Sequence, residues 1–447
     1  KQPAFMKKLL LFFLFLISAV SFKSQASFSL EDALSYALLN NIEYKNSRLD
    51  LNIAEQKVKE SVSTGLPKIT SSVGFQNYIN LPTTVIPSNA FNPLAPADEF
   101  EELQFGTSIN TTGTLKIDQL IFSATYVAGL KAAKVYKELT SKVTEKSLQD
   151  TKEKVVGAYY AYLILEENKT LLNNSLINLN AIQKETEILV SEGLFEQINL
   201  DQINYSVLKL NNQISQIDHQ ATNSINILKF VIGFPQDSSL TLSNSLTDFN
   251  AENVSLDQFQ ISPSQMLDYQ IVDENRKLSL LTLKMNKVSA IPSVSGFFSH
   301  QQTALRNEFN LLSADKPWYP STFWGININI PIFTSGESLA VTKQSELAFK
   351  KSENLLLSVE QGLKQQLSQL YTEYNLALYA LENDKENLIL SQKILSNTLT
   401  RFKEGLKSGL EVAQAQNQEI SAQNQLLQSH FNLLLAKLKL DKLMNKL

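Results

Sequence analysis

The sequence predicts a mainly α-helical protein with a two-fold internal repeat of strand, strand, long helix and short helix. Three observations predict it. Landmark phrases recur in one order at a nearly constant shift. Ile117–Thr125 (IDQLIFSAT) matches Ile328–Gly336 (INIPIFTSG), with Phe122 and Phe333 in register, and Val155–Leu163 matches Gln366–Tyr374. Glu-Gly-Leu at 192–194 returns at 404–406, so the shift holds at 211 or 212. Surface loops drift in length, whereas helices that must span one distance cannot. Secondly, no proline interrupts Ala124–Glu192 or Ser338–Glu404, enough for about 100 Å of helix in each half at ~1.5 Å per residue. Thirdly, the stretches before each long helix alternate apolar and small polar residues with period two.

The 447 residues suffice for two or three ordinary domains or one elongated one. Only 14 are glycine, which fits a helical composition. Near the start, Met6-Lys7-Lys8 is a basic cluster, Leu9–Val20 is an apolar run, and Ser24-Gln25-Ala26 is a small-x-small site. Residues 1–26 therefore read as a signal peptide of an exported protein. The alternative, an N-terminal membrane anchor, needs about 20 apolar residues, and this run has 12. Without residues 1–26 there are 36 basic and 44 acidic side chains, a net charge of −8. An acidic chain lacking a basic stripe predicts no nucleic-acid partner. There is no cysteine, which excludes disulfides, thiolate metal sites and a lipobox. No later segment is apolar enough for a transmembrane helix, so any membrane-spanning part must be made of strands.

Element by element, the first repeat covers 27–233: helix 29–65, strands 67–80 and 107–122, long helix 124–192 and helix 197–233. A connecting segment, 234–262, is rich in Ser, Asn and Asp. The second repeat covers 263–447: helix 263–290, strands 292–302 and 322–333, long helix 337–404 and helix 409–446. Long loops with Pro, Asn and aromatics, 81–103 and 303–321, link the strands of each pair.

In the last strand Trp324, Ile326, Ile328, Ile330 and Ile332 share one face, opposite Gly325, Asn327, Asn329 and Pro331. Ile69, Val73 and Phe75 likewise oppose Thr70, Ser72 and Gln76. Such faces suit either a soluble half-buried sheet or a barrel wall between lipid and a wet lumen. Four strands cannot close a barrel, and open edges are not tolerated in lipid, so spanning strands must be pooled from several chains. The helices carry stripes such as Leu200, Ile203, Val207, Leu210, Ile214 and Ile217. Their spacing near 3.5 marks coiled-coil packing. A cytoskeletal rod would share those stripes but not the strands.

The phrases INIPIF, the Leu66-Pro67 and Ile291-Pro292 strand openings, and RFKEGLKSGLEVAQA (Arg401–Ala415) resemble those of the TolC-like outer-membrane efflux proteins, across essentially the whole mature chain. In that family the last phrase runs as an aromatic, Gly three positions on, then Asp-Val-Leu-x-Ala. Here Phe402, Gly405, Val412 and Ala415 fit, while Glu411 stands for Asp, Ala413 for Leu, and Gln414 where some members carry a second acid. In the first repeat Gly193 and Leu200 fit, whereas Val190, Asn199, Gln202 and Ile203 depart. The resemblance implies a homotrimer with a 12-stranded β-barrel in outer-membrane lipid, continuous with a long α-helical coiled-coil barrel that projects into the periplasm. Its implied partners are a periplasmic adaptor (membrane fusion protein) and an inner-membrane transporter, in tripartite efflux or type I secretion.

Under that resemblance Gly193, Leu194, Gly405, Leu406 and Gly409 are expected at the periplasmic hairpin tips, where an adaptor docks. Glycines that end a helix in the left-handed region serve a chain reversal, and Gly409 is expected to free the turn before Glu411. Phe402, Lys407, Glu411 and Gln414 are candidates for the tunnel constriction. Glu411 reads either as a ring of three carboxylates or as a solvated helix-start acid, and Lys407 either as a link to a neighbouring helix or as an exposed lysine. His219, His300 and His430 stand apart, and no phosphate loop, Ser-His-Asp pattern or metal signature occurs. The sequence thus predicts no enzyme and no cofactor. The duct reading competes with an exported coiled-coil scaffold or adhesin without pore activity, and with a soluble periplasmic adaptor, for which no lipoyl-like or β-barrel domain is readable.

Overall fold

A computed structural model describes residues 26–447 except 91, 92, 95, 97 and 250–261. The expected signal peptide, up to residue 25, and residues 250–261 of the expected connecting segment lie outside the described residues. The chain runs β1 (Ala26–Phe28), α1 (Leu30–Asn40), α2 (Ile42–Ser63), β2 (Lys68–Asn77), β3 (Thr83–Pro87), β4 (Phe100–Gln104), β5 (Ile109–Phe122), α3 (Ala124–Ser191) and α4 (Gln197–Ile232). It continues β6 (Leu240–Leu242), α5 (Leu267–Lys287), β7 (Ser293–Arg306), β8 (Tyr319–Asn329), α6 (Glu337–Lys403) and α7 (Gly409–Leu443). The long helices are unbroken for 68 and 67 residues. No helix among the described residues is long and apolar enough to cross a membrane.

Three differences from the sequence reading have a clear physical cause or change the connection of the strands. The helix expected over 29–65 is broken at Asn41, which turns extended (ψ 127). Its side-chain Nδ2 donates to the Val231 carbonyl at 2.7 Å, and its side-chain oxygen accepts the Tyr44 backbone amide at 2.9 Å. The side-chain oxygen thus caps the restarting helix locally, while the tertiary bond anchors the break to the end of α4. The loop expected over 81–103 holds a hairpin, β3 against β4. The last strand ends at Asn329 rather than 333, because Pro331 has no N–H to continue the ladder.

The chain divides into two compact units. One comprises Asn52–Leu139 and Glu274–Asn354. Its centre is a four-stranded antiparallel sheet in the order β2-β5-β7-β8. The repeats meet at β5 and β7, while β2 and β8 each have a neighbour on one side only among the described residues. Every residue of β2 is exposed. The register puts Ile69, Ile117, Phe298 and Trp324 in one cross-strand row, with Val73, Phe75, Leu115, Ile326 and Ile328 on the same face. Val73 is 77% and Trp324 75% exposed. The opposite face carries Thr70, Ser72, Thr112, Thr114, Ser299, Gln301 and Asn327. An open apolar face of this size on a strand sheet asks for an apolar solvent or a partner.

The other unit comprises the chain up to Leu51 with Thr140–Asp273 and Leu355–Leu447. Apolar stripes supply its core: Ile203 and Leu210 of the predicted stripe with Ala221 and Leu228 further along α4, and Leu363, Leu370, Tyr374 and Leu381 of α6, are buried. One cluster surrounds Tyr159, Leu228, Ile232, Leu433 and Leu440. The Tyr159 hydroxyl donates within this cluster, at 3.0 Å from the Phe28 carbonyl and 2.9 Å from Asn244 Oδ1, and burial pushes it up to about 12. A second cluster, with Leu172, Leu179, Ile182, Ile203, Leu210, Phe402, Val412 and Ile420, holds the ends of the two helical hairpins together.

Candidate functional site: the two hairpin tips

The long helices reverse at two turns built on one plan. Gly193 and Gly405 have φ +74 and +75. The Leu194 amide donates to the Leu189 carbonyl at 2.9 Å and the Gly193 amide to Val190 at 3.0 Å. At the other tip the Leu406 amide donates to Arg401 and that of Gly405 to Phe402, each at 2.9 Å. This paired bonding satisfies the last carbonyls of a helix and requires a left-handed residue just after its end. Leu194 and Leu406 follow, 69% and 71% exposed.

Gly409 acts differently from the expectation. It is the first residue of α7, buried, and shows no left-handed backbone. A Cβ there would come within 2.6 Å of the Asn199 carbonyl oxygen, while the Gly409 amide donates to Asn199 Oδ1 at 2.7 Å. The glycine serves a close approach between α4 and α7 rather than freedom of the turn. Asn199, a departure from the family phrase, is thus one residue that ties the two tips together. A polar residue in the first turn of α4, opposite a glycine that opens α7, was the available signal.

Phe402 turns into the packed interior of the hairpins rather than to solvent. It is 2% exposed and meets Phe195 edge-on, ring centroids 5.0 Å apart. Its apolar ring belongs with Leu172, Leu179 and Val412. Lys407 pairs with Glu411, one helical turn on in its own chain, rather than with a neighbouring helix. Glu411 also closes a capping box with Ser408: its Oε2 accepts the Ser408 amide at 2.9 Å, and its own amide donates to Ser408 Oγ. The bond from Lys407 and the Ser408 amide hold its carboxyl below the usual glutamate range. Glu411 is therefore a helix-start acid here, favoured by the dipole. Gln414 is exposed in an open groove of about 300 Å³ between α4 and α7, lined with Ile198, Tyr205, Leu410 and Ala413. The sequence reading also passed over Lys403, whose ammonium lies 2.8 Å from Glu185 and clamps one hairpin to the other. Among the described residues no cluster of His, Asp and Glu is arranged to hold a metal ion.

Comparison with known proteins places this geometry. Residues 283–446 match the family model described as outer membrane efflux protein. A curated relative, outer membrane efflux protein BepC of Brucella suis biovar 1 (strain 1330), is 24% identical over 112 residues, which is 25% of this chain and 25% of that protein. The match thus spans about a quarter of the relative's length. Among solved structures, CusC, described in connection with transmembrane channel formation, is similar with a TM-score of 0.77 at 13% identity, covering 94% of this chain and 92% of its own. The outer membrane protein VceC of Vibrio cholerae has a TM-score of 0.73 at 13% identity, with 93% and 95% covered. The open state of the MtrE outer membrane channel of Neisseria gonorrhoeae has 0.72 at 14%, with 93% and 88% covered. Residues 283–446 thus match the outer membrane efflux protein family, and nearly the whole chain shares the fold of CusC, VceC and MtrE.

Proposed function

We propose that the protein is the outer-membrane duct of a tripartite efflux or type I secretion system. The observation that carries this reading is the four-stranded sheet with two unpaired edges and an exposed apolar face. Joining β2 of one copy to β8 of the next removes both edges, and three copies make a closed 12-stranded wall with apolar residues toward lipid. The helices then line a periplasmic tunnel whose mouth is formed by the hairpin tips. There Leu194, Leu406 and the groove beside Gln414 offer a docking surface to a periplasmic adaptor, while the carboxylates and amides of Glu411 and Gln414 stand at the mouth. The duct is passive, so the driving energy comes from an inner-membrane transporter. Residues 1–26 direct the export of the chain.

The test is extraction from outer membranes, sizing in lipid nanodiscs, and single-channel recording after the tips are loosened by Gly409→Ala. A trimer that conducts is expected. A monomer, or a trimer that stays silent even with loosened tips, would return the protein to the scaffold class.

A further inference from the structure

All the charge on the polar face of the four-stranded sheet falls in two adjacent cross-strand rows. One row reads Lys68, Asp118, Phe297, Gly325, and the next Thr70, Lys116, Ser299, Phe323. The rows beyond, such as Ser72–Thr114–Gln301–Ser321 on one side and Leu120–Ser295–Asn327 on the other, are uncharged. Two of the aromatic rings on this face stand in the same two rows. The Phe297 ring lies over Gly325, where a Cβ would come within 2.8 Å of it, and meets Phe323 edge-on at 6.0 Å. The Lys116 ammonium is 6.0 Å from the Phe297 ring centre and 2.8 Å from Asp118 Oδ1. Lys68 sits directly opposite Asp118 in register. The two rows thus carry two ammonium groups against one carboxylate, a net charge of +1 per chain. Lys116, Asp118 and Phe323 are each nearly half exposed, so the patch is open to a solute.

We infer that these two rows bind aromatic anions, and that in the assembled duct they form a girdle in the barrel lumen with three such patches. This rests on the duct reading, which puts the polar face inward. The planar ring of the solute packs on Phe297 and Phe323, and its carboxylate or sulfonate pairs with Lys116 and Lys68. Both contacts gain from a lumen whose low-dielectric wall focuses the field of the excess lysines. Asp118 acts against the anion, so the site has one group whose removal strengthens it.

The experiment titrates 1-naphthalenesulfonate into the full-length protein in lipid nanodiscs by calorimetry, with methanesulfonate as the anion lacking a ring. Lys116→Gln and Phe297→Ala are each expected to weaken binding about fivefold. Asp118→Asn is expected to tighten it about threefold, a gain that a folding defect would not produce, and methanesulfonate to bind none of the proteins measurably. Equal affinity in all four proteins, or weakening by Asp118→Asn, would overturn the proposal. Sizing and conductance on the same samples separate the two readings. A conducting trimer with identical isotherms ends the girdle alone, whereas a monomer ends the duct and the girdle together.

Discussion

The two hairpin tips turn by the same bonds and differ in how the chain re-enters a helix. At the second tip Ser408 and Glu411 close a capping box and Lys407 joins them. At the first, Glu196 stands at the cap with no side-chain hydrogen bond. The reversal itself needs one left-handed glycine, which both repeats have, at 193 and 405. The helix start offers several solutions, and the repeats have diverged there. The second hairpin is closed on itself and leans on the first through Gly409 and Asn199, so the first tip supplies the support and the second the local rigidity.

That division can be broken by substitutions, beginning with the largest effect. Phe402→Ala should cost about 3 kcal/mol, since a buried ring leaves a cavity. Phe195→Ala, at a half-buried ring, should cost less, and urea unfolding of the full-length protein measures both. Gly409→Ala comes next, at about 2 kcal/mol, because its methyl meets backbone rather than a movable side chain. Its effect should also appear as faster amide exchange at both tips, whereas Gly193→Ala, at about 1 kcal/mol from its positive φ, should loosen only the first. Ser408→Ala should destabilise α7 by about 1 kcal/mol while Glu196→Ala leaves α4 unchanged; equal losses would erase the distinction between the tips. The smallest effect concerns pH. The Glu411 carboxyl is held below its ordinary value of 4.5, chiefly by Lys407. Its contribution is therefore complete above that value and is lost as pH falls through the lower folded one. Carboxyl NMR titration should show this depressed midpoint, and Lys407→Gln should raise it.

Much of this was legible in the sequence because it depends on local chemistry repeated at a fixed interval. Gly193 and Gly405 announce themselves by position, and the alternation around Trp324 survives as one face of a sheet. What stayed hidden depends on partners distant in sequence. The break at Asn41 is anchored because Val231 is there to receive its side-chain amide, 190 residues on. Phe402 reads as a lumen candidate until Phe195 is seen beside it. The hairpin of β3 and β4 eludes periodicity because each strand has only five residues, set apart by a long loop. Lys407 and Glu411 have helical spacing, yet whether either reaches across to another helix is decided by packing rather than by spacing.

The sheet order also has a kinetic meaning. β2 and β5, like β7 and β8, are near neighbours in the chain, so each pair can zip from its own loop. The seam between β5 and β7 joins Ile109 to Arg306 and Ile117 to Phe298, separations approaching 200 residues. Closing so long an interval is slow, and non-local pairing dominates folding time. Two preformed ribbons must therefore wait, with four edges open, until α3 and α4 are in place, and only then merge. During that interval the ribbon edges are the part of the newly exported chain most in need of protection from other chains.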